Sequence, residues 1–135
     1  MTKIKLPALN KSSTLAPREE TTIVHYKHPI FCFKYLHKDY GLEPCSAEQK
    51  ISFVERLCTL SKMDWQDIQL AHRHGMGSEK IARSAIQPGI PAGISADVEH
   101  FLALRFYGKA PFVGYRNKFV FHVVFIDHNF SVYRH

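Results

Sequence analysis

The chain is 135 residues long, 45% of them hydrophobic, and carries a formal net charge of +6, with a sequence pI near 9.3. That is enough apolar side chain for one ordinary domain with a real core, and too little chain for a second. No stretch approaches the roughly 20 apolar residues of a membrane span, and the positive balance favours polyanionic partners such as nucleic acid, the ribosome or an acidic protein, although solvated lysines account for it equally well.

Residues 1–22 mix Lys, Ser, Thr, Pro and Glu with little periodicity, which predicts a flexible N-terminal arm ahead of a single domain over residues 23–135. Pro7 and the polar run from Asn10 to Thr14 interrupt the start before an apolar core of signal-peptide length appears, so the chain is expected not to be exported. Residues 30–36 are a strand candidate, with Phe31, Phe33 and Tyr35 on one face at period two and Pro29 suited to the first position. Ser46 and Gln49 have capping-box spacing, in which each side chain satisfies a backbone amide at a helix start. Ile51, Val54, Leu57 and Cys58 continue the apolar stripe of that helix. Ser61 and Asp64 offer a second start, with Trp65 and Ile68 on the buried side, and Arg73-His74-Gly75-Met76-Gly77 ends the helical pair. Residues 78–85 read as either a short helix or an extended segment, and residues 87–95, broken by Gly89, Pro91 and Gly93, as a surface loop.

The rest reads as sheet: residues 101–107, 112–115 and 119–126, with a short piece at 131–133 and turns at Gly108-Lys109-Ala110-Pro111 and Arg116-Asn117-Lys118. Short turns between consecutive strands predict an antiparallel meander covered on one face by the helices. The expected fold class is therefore α+β, a two-layer domain of N-terminal strand, helical pair and antiparallel sheet. Cys32, Cys45 and Cys58 are odd in number and lack a paired short spacing, which suits reduced thiols in a cytoplasmic protein.

The order of elements, the basic balance, Leu104-Arg105-Phe106 on the first strand of the sheet, Gly114-Tyr115-Arg116 on the next and the closing Tyr133-Arg134-His135 resemble the RelE/ParE-like toxin superfamily over residues 29–135. The resemblance implies the toxin of a toxin-antitoxin system, an mRNA interferase that is ribosome-associated in some forms and is silenced by an antitoxin protein covering its basic face. Members that cleave messenger RNA are implied to use Arg, Lys, His and Tyr side chains on the concave sheet face, some with their last residues in the site. This chain departs from the usual member in its length, its arm, its Gly/Pro loop and a turn after Arg116 where the strand usually continues.

RNA cleavage through the ribose hydroxyl needs a base for the 2'-OH proton, a cation for the charge developing on phosphate and an acid for the leaving oxygen. Tyr, His, Lys and Arg fill those roles with no metal or other cofactor. The candidates are His135 as acid or base, Arg134, Arg105 and Arg116 as phosphate clamps, Tyr133 or Tyr115 as stacking or proton-transfer partners, and His122, which interrupts an apolar strand. Lys80 and Arg83, on one face of a short helix, and Lys109 are further phosphate contacts. Each has a plainer explanation: a strand histidine such as His122 is ordinarily hydrogen-bonded beside the core, and Arg116 solvates a turn. His72-Arg73-His74 has no fixed partners for a zinc site, and Gly75 to Lys80 lacks the full phosphate-loop pattern. The alternative function is a non-catalytic basic module that binds nucleic acid or protein.

Overall fold

The structure, a computed structural model, describes residues 27–73 and 75–134. The expected arm over residues 1–22, His74 and His135 lie outside the described residues. Among those described, the fold is α+β. One five-stranded sheet has the order β1-β5-β4-β3-β2, with β1 at Ile30–Cys32, β2 at Ser78–Ala82, β3 at His100–Tyr107, β4 at Ala110–Asn117 and β5 at Val120–Ile126. Strands β2 to β5 form the antiparallel meander, while β1 joins β5 in parallel, setting Ile30 opposite Val120 and Cys32 opposite His122. The sheet is thus mixed rather than purely antiparallel. The helices between β1 and the meander supply the long crossover that parallel pairing requires.

Several boundaries differ from the sequence expectation for physical reasons. Strand β1 stops at Cys32 because the next residues turn, with the Leu36 amide donating to the Phe33 carbonyl at 3.2 Å and the His37 amide returning to Val124 at 2.7 Å. That turn sends Phe33 toward Phe53 on the helical side and Tyr35 toward Tyr115 and His122 on the other. Residues 78–85 become β2 and a 3-10 turn at Arg83–Ala85, so Lys80 and Arg83 do not share a helical face. Strand β4 runs through Asn117, and Lys118 at φ 59 turns the hairpin with Phe119. Arg116 is accordingly a strand residue, not a turn residue. Residues 131–133 form no strand: the Ser131 and Val132 amides donate to the Asp127 carboxylate at 2.8 and 3.1 Å, and the Val132 carbonyl accepts from Gln87 at 2.8 Å.

Helix α1, Ala47–Leu60, begins at the expected capping box of Ser46 and Gln49, and α2, Trp65–Leu70, at Asp64 with Asp67. Against expectation, α1 leaves Ile51 and Val54 exposed and buries Phe53 and Leu60. The Phe53 ring meets Phe106 and Phe112 edge to face at 5.6 and 5.3 Å, and an aromatic anchor of that size sets the helix rotation over smaller aliphatics. Trp65 and Ile68 of α2 close the same layer over Phe121 and Val123. The opposite face, carrying Phe101, Ala103, Val113 and Val124, is also covered, by Tyr35, Tyr40, Ile90, Ile94 and Val98 from loops and by Val132 and Tyr133 from the tail. The expected two-layer domain therefore has a third, irregular layer, and the face away from the helices is not an open concave surface.

Candidate functional site

Arg105 lies on the loop-covered face of β3, because Phe101 and Ala103 occupy that face at the strand period of two. The β3–β4 register shifts between Arg105 and Tyr107, so Phe106 is an extra residue and the ladder is interrupted beside Arg105. Arg56 of α1 donates to the Arg105 carbonyl at 2.7 Å and to Gly75 at 3.3 Å. The backbone that bears Arg105 is held even though the ladder is broken.

A cleft of about 380 Å³ opens at this point, lined by Arg73, Glu79, Arg105, Lys109, Phe130 and Tyr133. It gathers three cations against one carboxylate. Glu79 pairs with Arg73 at 3.1 Å, with the two side chains 39% and 55% exposed, so the pair orients groups more than it stabilises the fold. Tyr133, only 7% exposed, hydrogen-bonds through its phenol to Glu79. Burial, then the charges of Glu79 and Asp127, push its pKa up to about 12, with Arg105 acting the other way. At neutral pH Tyr133 is a proton donor. Its position follows from Asp127, which is fully buried and grips the two preceding amides.

The other candidates fall elsewhere. Arg134 is exposed beyond the cleft tyrosine. His122 stacks on Tyr115 at 4.7 Å and 19° and lies 5.6 Å from Tyr35. Burial lowers its pKa from 6.5, and its Nδ1 has no hydrogen-bond partner among the described residues. Burial raises the Tyr115 phenol first, with Tyr35 and Cys32 adding to the effect. Pro111 stands opposite Arg105 and Tyr115 opposite His122, so the two sites are separated by four residues of β4 and two strand spacings, about 16 Å in all. Arg105 and Tyr133 meet; His122 does not join them.

Arg83 braces the cover of the sheet, donating to the carbonyls of Ser95 at 2.7 Å and Val98 at 2.9 Å. Lys80 lies opposite Leu102 on β2, on the helical side and outside the cleft. Lys109 lines the cleft. Arg116 reaches the helical face, its guanidinium 4.3 Å from the Trp65 ring centre, and burial lowers its pKa.

No protein-family model, curated protein or solved structure matches the chain.

Glu79, Arg73 and Phe130 were not picked out from the sequence. Glu79 needed β2 to be recognised as a strand, since only the alternation of Glu79 and Ile81 against Ser78 and Lys80 turns it toward Tyr133. Among the described residues no three His, Cys, Asp or Glu side chains come together as a metal site.

Proposed function

We propose that the cleft binds an RNA phosphodiester and that the chain is a metal-independent endoribonuclease of the toxin class, an mRNA interferase acting on free or ribosome-bound messenger RNA. The observation that carries this reading is the convergence of Arg105 and Tyr133, remote in sequence, on one cleft where the Tyr133 phenol is bonded to Glu79. Arg105 and Lys109 hold the phosphate and stabilise the charge that accumulates as the 2'-oxygen attacks phosphorus. The Glu79 carboxylate takes the 2'-hydroxyl proton, the bond from phosphorus to the 5'-oxygen breaks, and Tyr133 protonates that oxygen. The products are a cyclic phosphate and a free 5'-hydroxyl. The Glu79–Tyr133 hydrogen bond then returns the proton from carboxyl to phenolate and restores the starting state. Phe130, 42% exposed at the cleft, offers a ring for a splayed base.

The order of strand, two helices and meander supports the toxin assignment, and the three unpaired cysteines suit a reducing cytoplasm. Among the described residues no helix is long and apolar enough to cross a membrane. In this reading an antitoxin silences the enzyme by lying over the cleft and neutralising its cations. Arg105→Ala tests the proposal: cleavage of ribosome-bound and free RNA should fall at least about a hundredfold, the scale of losing one charge-stabilising group, and growth arrest on induced expression should disappear. A wild-type protein that cleaves neither RNA refutes the enzyme.

The alternative, a basic module that binds RNA without cutting it, is favoured by one feature: no imidazole among the described residues lines the cleft. It predicts that Arg105→Ala weakens RNA binding and that the RNA emerges intact from every incubation.

A further inference from the structure

A second groove, about 600 Å³, lies at the β4–β5 turn on the helical face, where Trp65, Phe119, Gln66 and Gln69 form its walls and the three cations Lys27, Arg116 and Lys118 outnumber the one carboxylate, Asp64. Its centre is Arg116. The guanidinium lies over the Trp65 ring, and Nε donates to the Lys118 carbonyl. Trp65 is itself fixed, its indole N–H donating to the Phe119 carbonyl at 2.9 Å and its backbone amide to Lys27 at 2.8 Å. Both the plane and the near edge of the guanidinium are therefore set, while its terminal nitrogens make no hydrogen bond or ion pair among the described residues. A guanidinium fixed in this way loses little freedom when it binds an anion, and its fork matches two oxygens of a phosphate. Lys27 and Lys118 add charge, and Gln66 and Gln69 supply amides suited to a ribose hydroxyl or a base edge.

We infer that the Arg116–Trp65 groove is a second RNA-backbone site, separate from the Arg105 cleft. The five residue steps along β4 from Pro111, opposite Arg105, to Arg116 span about 17 Å, and the two arginines face opposite sides of the sheet. RNA reaching both must bend around the sheet or be folded, which points to a structured RNA rather than a short linear strand. This inference rests on the RNA-binding half of the proposed function and not on cleavage.

Trp65 is the chain's single tryptophan, so its fluorescence reports directly on this groove. The probe is a hairpin RNA with a single-stranded tail, fully 2'-O-methylated so that no 2'-hydroxyl attack is possible. Titration into wild-type protein should change Trp65 emission. Arg116→Ala should weaken binding about tenfold, and its plot of log affinity against log salt should be shallower by roughly 0.7 to 0.9, the value of one lost phosphate contact. Arg116→Lys should keep the salt slope but not the full affinity, because the charge remains and the fork does not. Arg105→Ala, which removes the other site, should leave the Trp65 response in place. Unchanged affinity and slope in Arg116→Ala overturn the inference, as does a wild-type emission that ignores bound RNA. A protein that binds no RNA overturns both this site and the proposed function. RNA bound through Arg116 but never cleaved in its unmodified form supports this groove and overturns the catalytic reading alone.

Discussion

Replacing Tyr133 with phenylalanine deletes one hydroxyl and leaves the ring in place, so it isolates the proton-donor role. Tyr133 is 7% exposed and its neighbours accept a phenylalanine ring without a void. If the phenol protonates the leaving oxygen, Tyr133→Phe should slow cleavage by about 10² to 10⁴, the usual span of general acid catalysis, or about 3 to 5 kcal/mol in the barrier. RNA affinity should stay within roughly threefold of wild type, since Arg73, Arg105 and Lys109 remain. The stability effect is smaller. A hydrogen bond to a charged group contributes about 1.5 to 3 kcal/mol when well shielded, but Glu79 is 39% exposed and keeps Arg73, so a loss of about 1 kcal/mol, a few degrees in Tm, is expected. The pH dependence has a definite sign. With the folded pKa raised from 10.0 to about 12, the folded chain holds the phenolic proton more tightly. The associated stability is fully present below about pH 10 and is lost as pH rises toward about 12. The variant should lack that alkaline decline and the last phenolate absorbance step. Cleavage within roughly a factor of three of wild type, in a preparation where Arg105→Ala is inactive, refutes the acid role. Superimposable alkaline absorbance titrations refute the buried, Glu79-bonded phenol.

Two other substitutions test the frame around the site. A Cβ at Gly114 would run into the His122 carbonyl of the neighbouring strand, and backbone cannot step aside as a side chain can. Gly114→Ala should therefore cost about 3 kcal/mol, the upper end of ordinary overpacking, in urea denaturation, and a loss under about 1 kcal/mol contradicts that close approach. Burial holds the His122 pKa below 6.5, so the folded state binds fewer protons than the unfolded one between the two pKa values. Stability from this group is present above pH 6.5 and falls as the pH drops through that window. His122→Phe, which preserves an aromatic ring beside Tyr115 and Tyr35, should flatten the acid limb of a Tm-against-pH curve. Identical limbs place the titration in another residue.

Where the sequence carried strong local signals, the elements were legible from it. The capping box at Ser46 and Gln49 starts α1, and the alternation over residues 101–107 marks β3. Other features depended on contacts between distant segments. Nothing local distinguishes Phe53 from Ile51 as the anchor of α1, since the choice is made by Phe106 and Phe112 across the sheet. Residues 33–36 alternate like a strand but turn, because the chain returns at once to β5 through His37. Of the candidate site, Arg105 and Tyr133 were visible as residue types. Their meeting was not, and neither was the separation of His122, because both are fixed by strand register rather than composition.

The cleft differs from an ordinary basic surface in the cost of building it. Two departures from regular backbone and one buried carboxylate converge there. The ladder is broken beside Arg105 by an extra residue, Phe130 adopts φ 61, a left-handed conformation that a bulky side chain rarely takes, and Asp127 is fully buried with its oxygens committed to the tail that ends in Tyr133. A strained backbone position costs about 1 to 3 kcal/mol, and a buried carboxylate is costly unless its hydrogen bonds are made. Solvating a few lysines requires none of this. The fold breaks its regularity at one spot and there sets Arg105, the protonated Tyr133 phenol and the Glu79 carboxylate around the same volume, and it is on that placement that the proposed chemistry on a phosphate rests.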